Sequence, residues 1–345
     1  MKTTELRGLP RRKFLALAAG APFMARYHQL AAAERKRVKI RDIQVMVLQG
    51  GRTYTLVKVV SDDGLYGIAE AYGTPGVGVK EQILSLKPWL VGKDPLEIDT
   101  LYTQMGEGTS QLSGTRTDGS AHNLMRAVSG IEMALWDLAG KVLGVPTTTL
   151  LGGKFREKVR VYDHSGPRNM LDKAACRDWA QKLKGHPSGF TCHKFASWHM
   201  NSNSDNARDR ANRILTTKEL VNIHQGFDNC REACGWDHDI MVHAHWEFDL
   251  RTATQIADAV ESCKPVWLED PLPVKYSESW KRLCASSRVP ICTGGKPGGA
   301  RGFPGLYYLS GPGYFEPGPS QYRRLPGDQT HRRHGTPLRT ADSQP

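Results

Sequence analysis

The sequence Ile240-Met-Val-His-Ala-His245 and the sequence Val266-Trp-Leu-Glu-Asp-Pro271 are two short apolar runs that end in acid/base or ligand-type residues. Between them, apolar side chains recur every three or four residues behind Asp249, a favourable helix N-cap, so we predict an amphipathic helix. A strand, a helix and a strand in this order form a parallel pair. The polar residues then lie at the strand C-termini, the edge where α/β sheets and barrels build active sites.

The alternation of strands and helices covers residues 151–295 and predicts a domain built as a (β/α) barrel. The polar segment 198–210 interrupts this pattern, and we expect it to be an inserted loop that contacts substrate. Strands are predicted at 159–164, 190–195, 240–245, 266–269 and 289–293, and two further helices around 174–183 and 207–223.

Residues 38–150 follow a different pattern, in which strands come first and helices follow. This order is typical of a separate α+β domain. We predict strands at 40–48, 53–61 and 65–71 and helices at 78–90, 96–107 and 124–143.

Three positions at the ends of predicted barrel strands are equally spaced. His243 precedes Glu269 by 26 residues, and Glu269 precedes Gly295 by 26 residues. A constant strand-helix period places these positions at equivalent heights on adjacent strands, where three side chains could converge on one metal ion.

The last fifty residues break the pattern. Residues 296–345 contain nine Gly and eight Pro without a sustained apolar period, which is typical of a disordered tail. The barrel is therefore predicted to be incomplete, with about five strands where a closed barrel has about eight.

The distribution of charge argues against a nucleic-acid-binding protein, and the spacing of the cysteines argues against a disulfide framework. Residues 1–41 carry eleven Lys or Arg and two acids, and residues 296–345 carry seven and three, so the 254 residues between them carry a charge of −1. The core therefore offers no electrostatic basis for nucleic-acid binding. The seven cysteines lack CxxC spacing and are expected to be buried thiols rather than a disulfide framework.

The N-terminus carries the pair Arg11-Arg12, a weakly apolar run at 16–25 and the small residues 31–33. This pattern predicts a twin-arginine export signal over residues 1–33 and a periplasmic or other extracytoplasmic location. The apolar run is too short for a permanent membrane span. A basic amphipathic arm is the alternative.

The segment Val128-Ser-Gly-Ile-Glu-Met-Ala-Leu-Trp-Asp-Leu-Ala-Gly-Lys141, with Leu150-Leu-Gly-Gly153 and Trp267-Leu-Glu-Asp-Pro271, resembles the mandelate racemase and muconate lactonizing enzyme family of the enolase superfamily. The resemblance is strongest to acid-sugar dehydratases. It implies an enolase-like capping domain at 38–150, a partial (β/α) barrel at 151–295, and Mg²⁺ that stabilises an enediolate after a base removes the proton alpha to a carboxylate.

The resemblance assigns catalytic and substrate-binding residues. Lys194 matches the basic residue of the second barrel strand, which serves as base or carboxylate partner, although the family's paired lysines are not kept. His245 matches the histidine that expels a β-hydroxyl as general acid. Trp198 and His199, in the inserted loop, are candidates for substrate contact.

The metal ligands of the family are only partly retained. Glu269 matches the second metal carboxylate, His243 stands where the first is expected, and Gly295 stands where the third is expected. Mg²⁺ prefers oxygen ligands, so we expect its binding to be weakened or lost. The family pattern stops after Gly294, and our hypothesis for this is a truncated or frameshifted coding sequence.

Three functions stay open at this point. The first is a metal-dependent lyase that dehydrates an acid sugar, the second is a racemase or epimerase, and the third is an inactive truncated family member. The expected partner is a small-molecule carboxylate. A homo-oligomer is also expected, because an open barrel exposes edge strands and apolar interior.

Overall fold

The computed structural model describes residues 27–32, 34, 37–50, 53–71, 78–113, 120–154, 156–196, 214–245, 248–273, 277–293 and 313–315. The predictions for the Arg11-Arg12 pair, for Trp198 and His199, and for Gly295 lie outside these residues. The chain divides into two compact units between Glu157 and Lys158.

The first unit contains a three-stranded antiparallel sheet in the order β1-β2-β3. Its strands confirm the three predicted ones. They are β1 (Ile40–Gln49), β2 (Thr53–Ser61) and β3 (Tyr66–Ala71). Four helices follow: α1 (Val79–Leu90), α2 (Ile98–Ser113), α3 (Ser120–Val142) and α4 (Thr147–Leu150).

Helix α3 lies against β2 and β3 and forms the centre of this unit's core. Its apolar residues fall on one stripe at helical spacing and are fully buried, which explains why the helix forms where the periodicity predicted it. The stripe consists of Ala127, Val128, Ile131, Ala134, Leu135 and Leu138.

Close approach of α3 to β3 requires a glycine in the strand. A Cβ atom on Gly67 would lie 1.9 Å from the carbonyl oxygen of Ala134. We expect Gly67→Ala to lower the free energy of unfolding by about 1–3 kcal/mol through overpacking, measured by urea denaturation. Gly106→Ala in α2 is the control, since no atom lies within 4 Å of its added Cβ. Equal stability of the two variants would contradict this packing.

Part of the predicted export signal is built into the first unit. Tyr27 and Ala31 lie on a short helix and are buried in its core. The Tyr27 hydroxyl donates to the Leu96 carbonyl, and its ring lies 5.1 Å from that of Trp136. Cleavage after residue 33 would therefore remove core contacts.

The second unit contains a parallel sheet in the order β4-β5-β6-β7-β8. The strands are β4 (Cys192–Ala196), β5 (Asp239–His243), β6 (Leu268–Glu269), β7 (Ile291–Thr293) and β8 (Gly313–Phe315). The helices are α5 (Lys173–Lys184), α6 (Thr217–Cys234), α7 (Leu250–Val260) and α8 (Glu278–Ser286). An α+β unit followed by a parallel α/β unit is the predicted fold class. None of the described helices is long and apolar enough to cross a membrane.

Helix α6 differs from its prediction. A capping box between Thr216 and Glu219 begins the helix at Thr217, and it continues to Cys234, well beyond the predicted end at residue 223. The Asp249 prediction is confirmed, because its side chain accepts a hydrogen bond from the Thr252 amide at 2.7 Å.

Two strand assignments were wrong. The segment 159–164 makes only an isolated bridge, between Asp163 and His193, because its alternating Val159 and Val161 are exposed rather than packed. Conversely, residues 313–315 within the predicted disordered tail pair with β7. The β7 edge offers unpaired backbone groups, and Gly-Tyr-Phe can extend to meet them.

Candidate functional site

The candidate site lies in the second unit, at the C-terminal ends of adjacent parallel strands. Ala196 of β4 pairs with His243 of β5, and His243 pairs with Glu269 of β6. This register brings Lys194, two residues before the end of β4, to the same edge as His243 and Glu269.

Glu269 is held through both carboxylate oxygens. The Lys194 ammonium donates to Oε1 at 2.7 Å, and the Trp267 indole donates to Oε2 at 3.0 Å. Glu269 is 4% exposed and Lys194 is 8% exposed, so this is a buried, charge-assisted pair. The orientation of Glu269 is therefore set from two sides.

His243 and Asp270 complete a compact cluster with Glu269. The Nε2 atom of His243 lies 3.5 Å from Oε1 of Glu269 and 3.6 Å from Oδ2 of Asp270. The Thr293 hydroxyl donates to Oδ1 of Asp270 at 2.7 Å, which orients that carboxylate. One ligand-type atom from each of the three residues lies within 4.8 Å of the others.

Asp270 ends the second apolar run in the sequence but was assigned no role in the site. Strand alternation would place neighbours Glu269 and Asp270 on opposite faces. Asp270 instead has φ 48°, a left-handed backbone conformation that costs free energy for a non-glycine residue. The available signal was its position directly after a strand that ends in a ligand.

His245 lies against His243. Their rings are stacked with centroids 3.7 Å apart and an angle of 18° between the planes. His245 has φ 59°, so the chain leaves the strand direction at this residue. The structure thus brings His245 to the edge that holds Lys194, His243 and Glu269.

Two aromatic residues contact the Lys194–Glu269 pair, Tyr162 on the lysine and Trp267 on the glutamate. Nζ lies 4.9 Å from the centre of the Tyr162 ring, a cation–π contact, and the edge of this ring meets Trp267 at 6.2 Å. Neither residue was predicted to contribute. Together they position both partners of the buried pair.

The opposite face of β4 carries a buried histidine pair. His193 Nε2 and His238 Nδ1 share a hydrogen bond at 3.1 Å, and Asp163 lies 4.0 Å from the other His193 ring nitrogen. Burial, and then the proximity of His238, lower the pKa of His193. Burial, and then the charge of Lys184, lower the pKa of His238.

The lowered pKa values of His193 and His238 predict that the folded protein loses stability in acid. Both folded pKa values are depressed, so the unfolded chain takes up protons more readily and the folded state loses stability as the pH falls below about 6.5. Other charges facing the pair are Asp163, Asp237, Asp239, Lys184 and Arg231.

Urea denaturation over this pH range tests the histidine pair. A His193→Gln, His238→Gln double variant should lose much of the dependence, whereas the exposed His224→Gln control on α6 should keep it. An unchanged pH dependence in the double variant would rule out this origin.

The site does not fit Mg²⁺ well. Mg²⁺ prefers an octahedral set of oxygens, whereas this cluster offers one imidazole nitrogen and two carboxylates. In addition, the Lys194 ammonium already lies on Oε1 of Glu269. The donor set is of the kind found around transition metals.

The fold is thus an α+β unit followed by a parallel α/β unit that carries acid/base residues at its strand C-termini. Residues 35–152 match the mandelate racemase / muconate lactonizing enzyme N-terminal domain, and residues 187–306 match the enolase C-terminal domain-like family. The chain belongs to the enolase superfamily.

Among curated relatives, D-xylonate dehydratase of Haloferax volcanii is 34% identical over 257 residues, covering 74% of this chain and 60% of the relative. D-mannonate dehydratase of a Sphingomonas species is 28% identical over 269 residues, covering 74% and 64%. The chain thus spans about three fifths of the length of these relatives.

A solved mandelate racemase/muconate lactonizing enzyme-like protein from Rubrobacter xylanophilus is similar in fold. It aligns with a TM-score of 0.71 at 26% identity, covering 82% of this chain and 73% of that structure. The likeness agrees with the two-unit architecture described above.

Proposed function

We propose that this protein is a dehydratase of acid sugars. The observation that carries the proposal is that Lys194, His245 and Glu269 meet at one strand edge, in a chain whose curated relatives are xylonate and mannonate dehydratases. In this reaction the C–H bond alpha to the carboxylate breaks, the β-hydroxyl leaves as water, and the resulting enol becomes a 2-keto-3-deoxy acid.

Lys194 and His245 have different roles in this reaction. In its charged form, paired with Glu269 at 2.7 Å, Lys194 acts at the substrate carboxylate. To act instead as the base that takes the alpha proton, Lys194 first releases its own proton to solvent and reacts as the neutral amine. His245 donates a proton to the departing hydroxyl, since hydroxide is a poor leaving group without one. No step is assigned to Mg²⁺, because the cluster does not fit it.

A substrate screen tests the proposal. The purified full-length protein is incubated with D-xylonate, D-mannonate and D-galactonate, and products are followed by mass spectrometry for loss of one water. A 2-keto-3-deoxy product from at least one of these acids is expected. Absence of product from all three, at enzyme concentrations comparable to substrate, would count against the activity.

The second candidate is a family member without catalytic activity. It is favoured by one observation, the Lys194 ammonium lying on the carboxylate of Glu269 that the family would use for metal. Under this alternative the protein gives no product in the screen. Racemisation stays an alternative without a specific contact to favour it.

Export through the twin-arginine pathway and homo-oligomerisation stay predictions. Detection of the protein in a periplasmic fraction tests the first, and light scattering of the purified protein tests the second.

A further inference from the structure

The three ligand-type atoms lie within 4.8 Å of one another, close enough for one metal ion to bridge them. Bonds of about 2.1 Å at tetrahedral angles place neighbouring donors about 3.4 Å apart. His243 Nε2 lies 3.5 Å from Glu269 Oε1 and 3.6 Å from Asp270 Oδ2.

The cluster is also protected and oriented. Its three residues are 8%, 4% and 1% exposed, in the order His243, Glu269 and Asp270. Thr293 holds one oxygen of Asp270, which leaves the other, Oδ2, facing His243. The left-handed backbone at Asp270 turns this carboxylate into the cluster at a cost in free energy.

Donor chemistry selects among divalent metals. Imidazole nitrogen suits Zn²⁺ and other first-row transition metals, whereas Mg²⁺ rarely accepts it. A set of one histidine and two carboxylates therefore discriminates against Mg²⁺ by ligand type.

Lys194 competes with any metal at this site. Its ammonium lies 2.7 Å from Oε1 of Glu269, the same oxygen that faces His243. The carboxylates of Glu269 and Asp270 together with the Lys194 ammonium carry a net charge of about −1. Without the lysine charge, the two carboxylates carry about −2. Removing the lysine charge should therefore strengthen metal binding.

We propose that His243, Glu269 and Asp270 form a site that binds Zn²⁺ or another transition metal in preference to Mg²⁺, and that Lys194 weakens this binding by pairing with Glu269. Asp270 supplies the third protein ligand. The inference deepens the proposed function by naming the metal class of the same site, although its test does not require activity.

The first test uses metal-stripped full-length protein. Thermal unfolding is followed with added Zn²⁺, Mn²⁺ or Mg²⁺, and bound metal is counted by elemental analysis after desalting. Zn²⁺ or Mn²⁺ should raise the unfolding midpoint through linkage with a stoichiometry of about one, and Mg²⁺ should not. An equal shift with Mg²⁺ would overturn the proposal.

We compare variants that should strengthen metal binding with a variant that should weaken it, because misfolding alone could only weaken it. Lys194→Met should tighten Zn²⁺ binding by about tenfold or more, because a competing charge is lost. His243→Asp should gain a response to Mg²⁺, because the donor set becomes all oxygen. Asp270→Asn should weaken Zn²⁺ binding. Lys173→Met, which removes the exposed pair between Lys173 of α5 and Glu232 of α6, is the control and should change nothing.

The results separate this inference from the proposed function. A Zn²⁺ response that survives in Asp270→Asn and is unchanged in Lys194→Met refutes the metal site, even where acid sugars are dehydrated. A response that follows the predicted variants supports the site, even where no acid sugar is dehydrated and the dehydratase proposal falls.

Discussion

Replacement of His245 by asparagine is expected to slow acid-sugar dehydration by about two to four orders of magnitude. The variant keeps a planar polar group of similar size but has no proton acidic enough to transfer to the leaving group, so the β-hydroxyl must leave unassisted. The loss should appear in kcat while KM changes little, because expulsion of the hydroxyl follows substrate binding. Steady-state kinetics on the acid sugar identified by the screen measures both constants.

His224→Asn is the matched control for this experiment. His224 lies on the exposed surface of α6, where it contacts Asp228 at 3.4 Å, and it takes no part in the candidate site. This variant should keep wild-type kinetics. Wild-type kcat in His245→Asn would contradict the role of His245 as general acid.

Glu269→Ala is expected to lower the free energy of unfolding by about 3–5 kcal/mol. The change leaves the Lys194 ammonium without its carboxylate in a site where it is 8% exposed, and the Trp267 indole loses its acceptor. Urea denaturation, followed by circular dichroism, measures the loss.

Two further variants show whether the charge pair causes this loss. The double variant Lys194→Met, Glu269→Leu removes both charges and should recover much of the stability, since no uncompensated charge is left buried. Glu232→Ala, which breaks the exposed pair with Lys173, should leave stability nearly unchanged. A Glu269→Ala variant as stable as the wild type would show that the pair contributes little.

Elements with long apolar periodicity could be predicted from sequence. Helix α3 (Ser120–Val142) was found because its stripe of small and branched side chains is buried on one side only. Segment 159–164 also alternates and was therefore predicted to be a strand, but its valines are exposed. The prediction was wrong because a local pattern does not reveal whether a partner strand exists. Strand β8 was missed for the converse reason: its pairing comes from β7 and not from its own composition.

Part of the candidate site could also be predicted from the sequence. Lys194, His243 and Glu269 lie at or near the ends of strands whose order follows from right-handed crossovers, so their meeting at one edge follows from the fold. The contribution of Asp270 depends on its left-handed backbone, and that of Tyr162 depends on a segment that is not a strand. Neither feature has a signal in sequence spacing.

The proposed reaction removes a proton and a hydroxyl from neighbouring carbons of an acid sugar. Nuclear magnetic resonance of the reaction in deuterium oxide tests it directly. We expect a 2-keto-3-deoxy product with one deuterium on the carbon that lost the hydroxyl. Substrate that becomes deuterated and inverted at its alpha carbon without loss of water would indicate racemisation, and substrate that stays unchanged would indicate an inactive protein; either result would rule out dehydration by this chain.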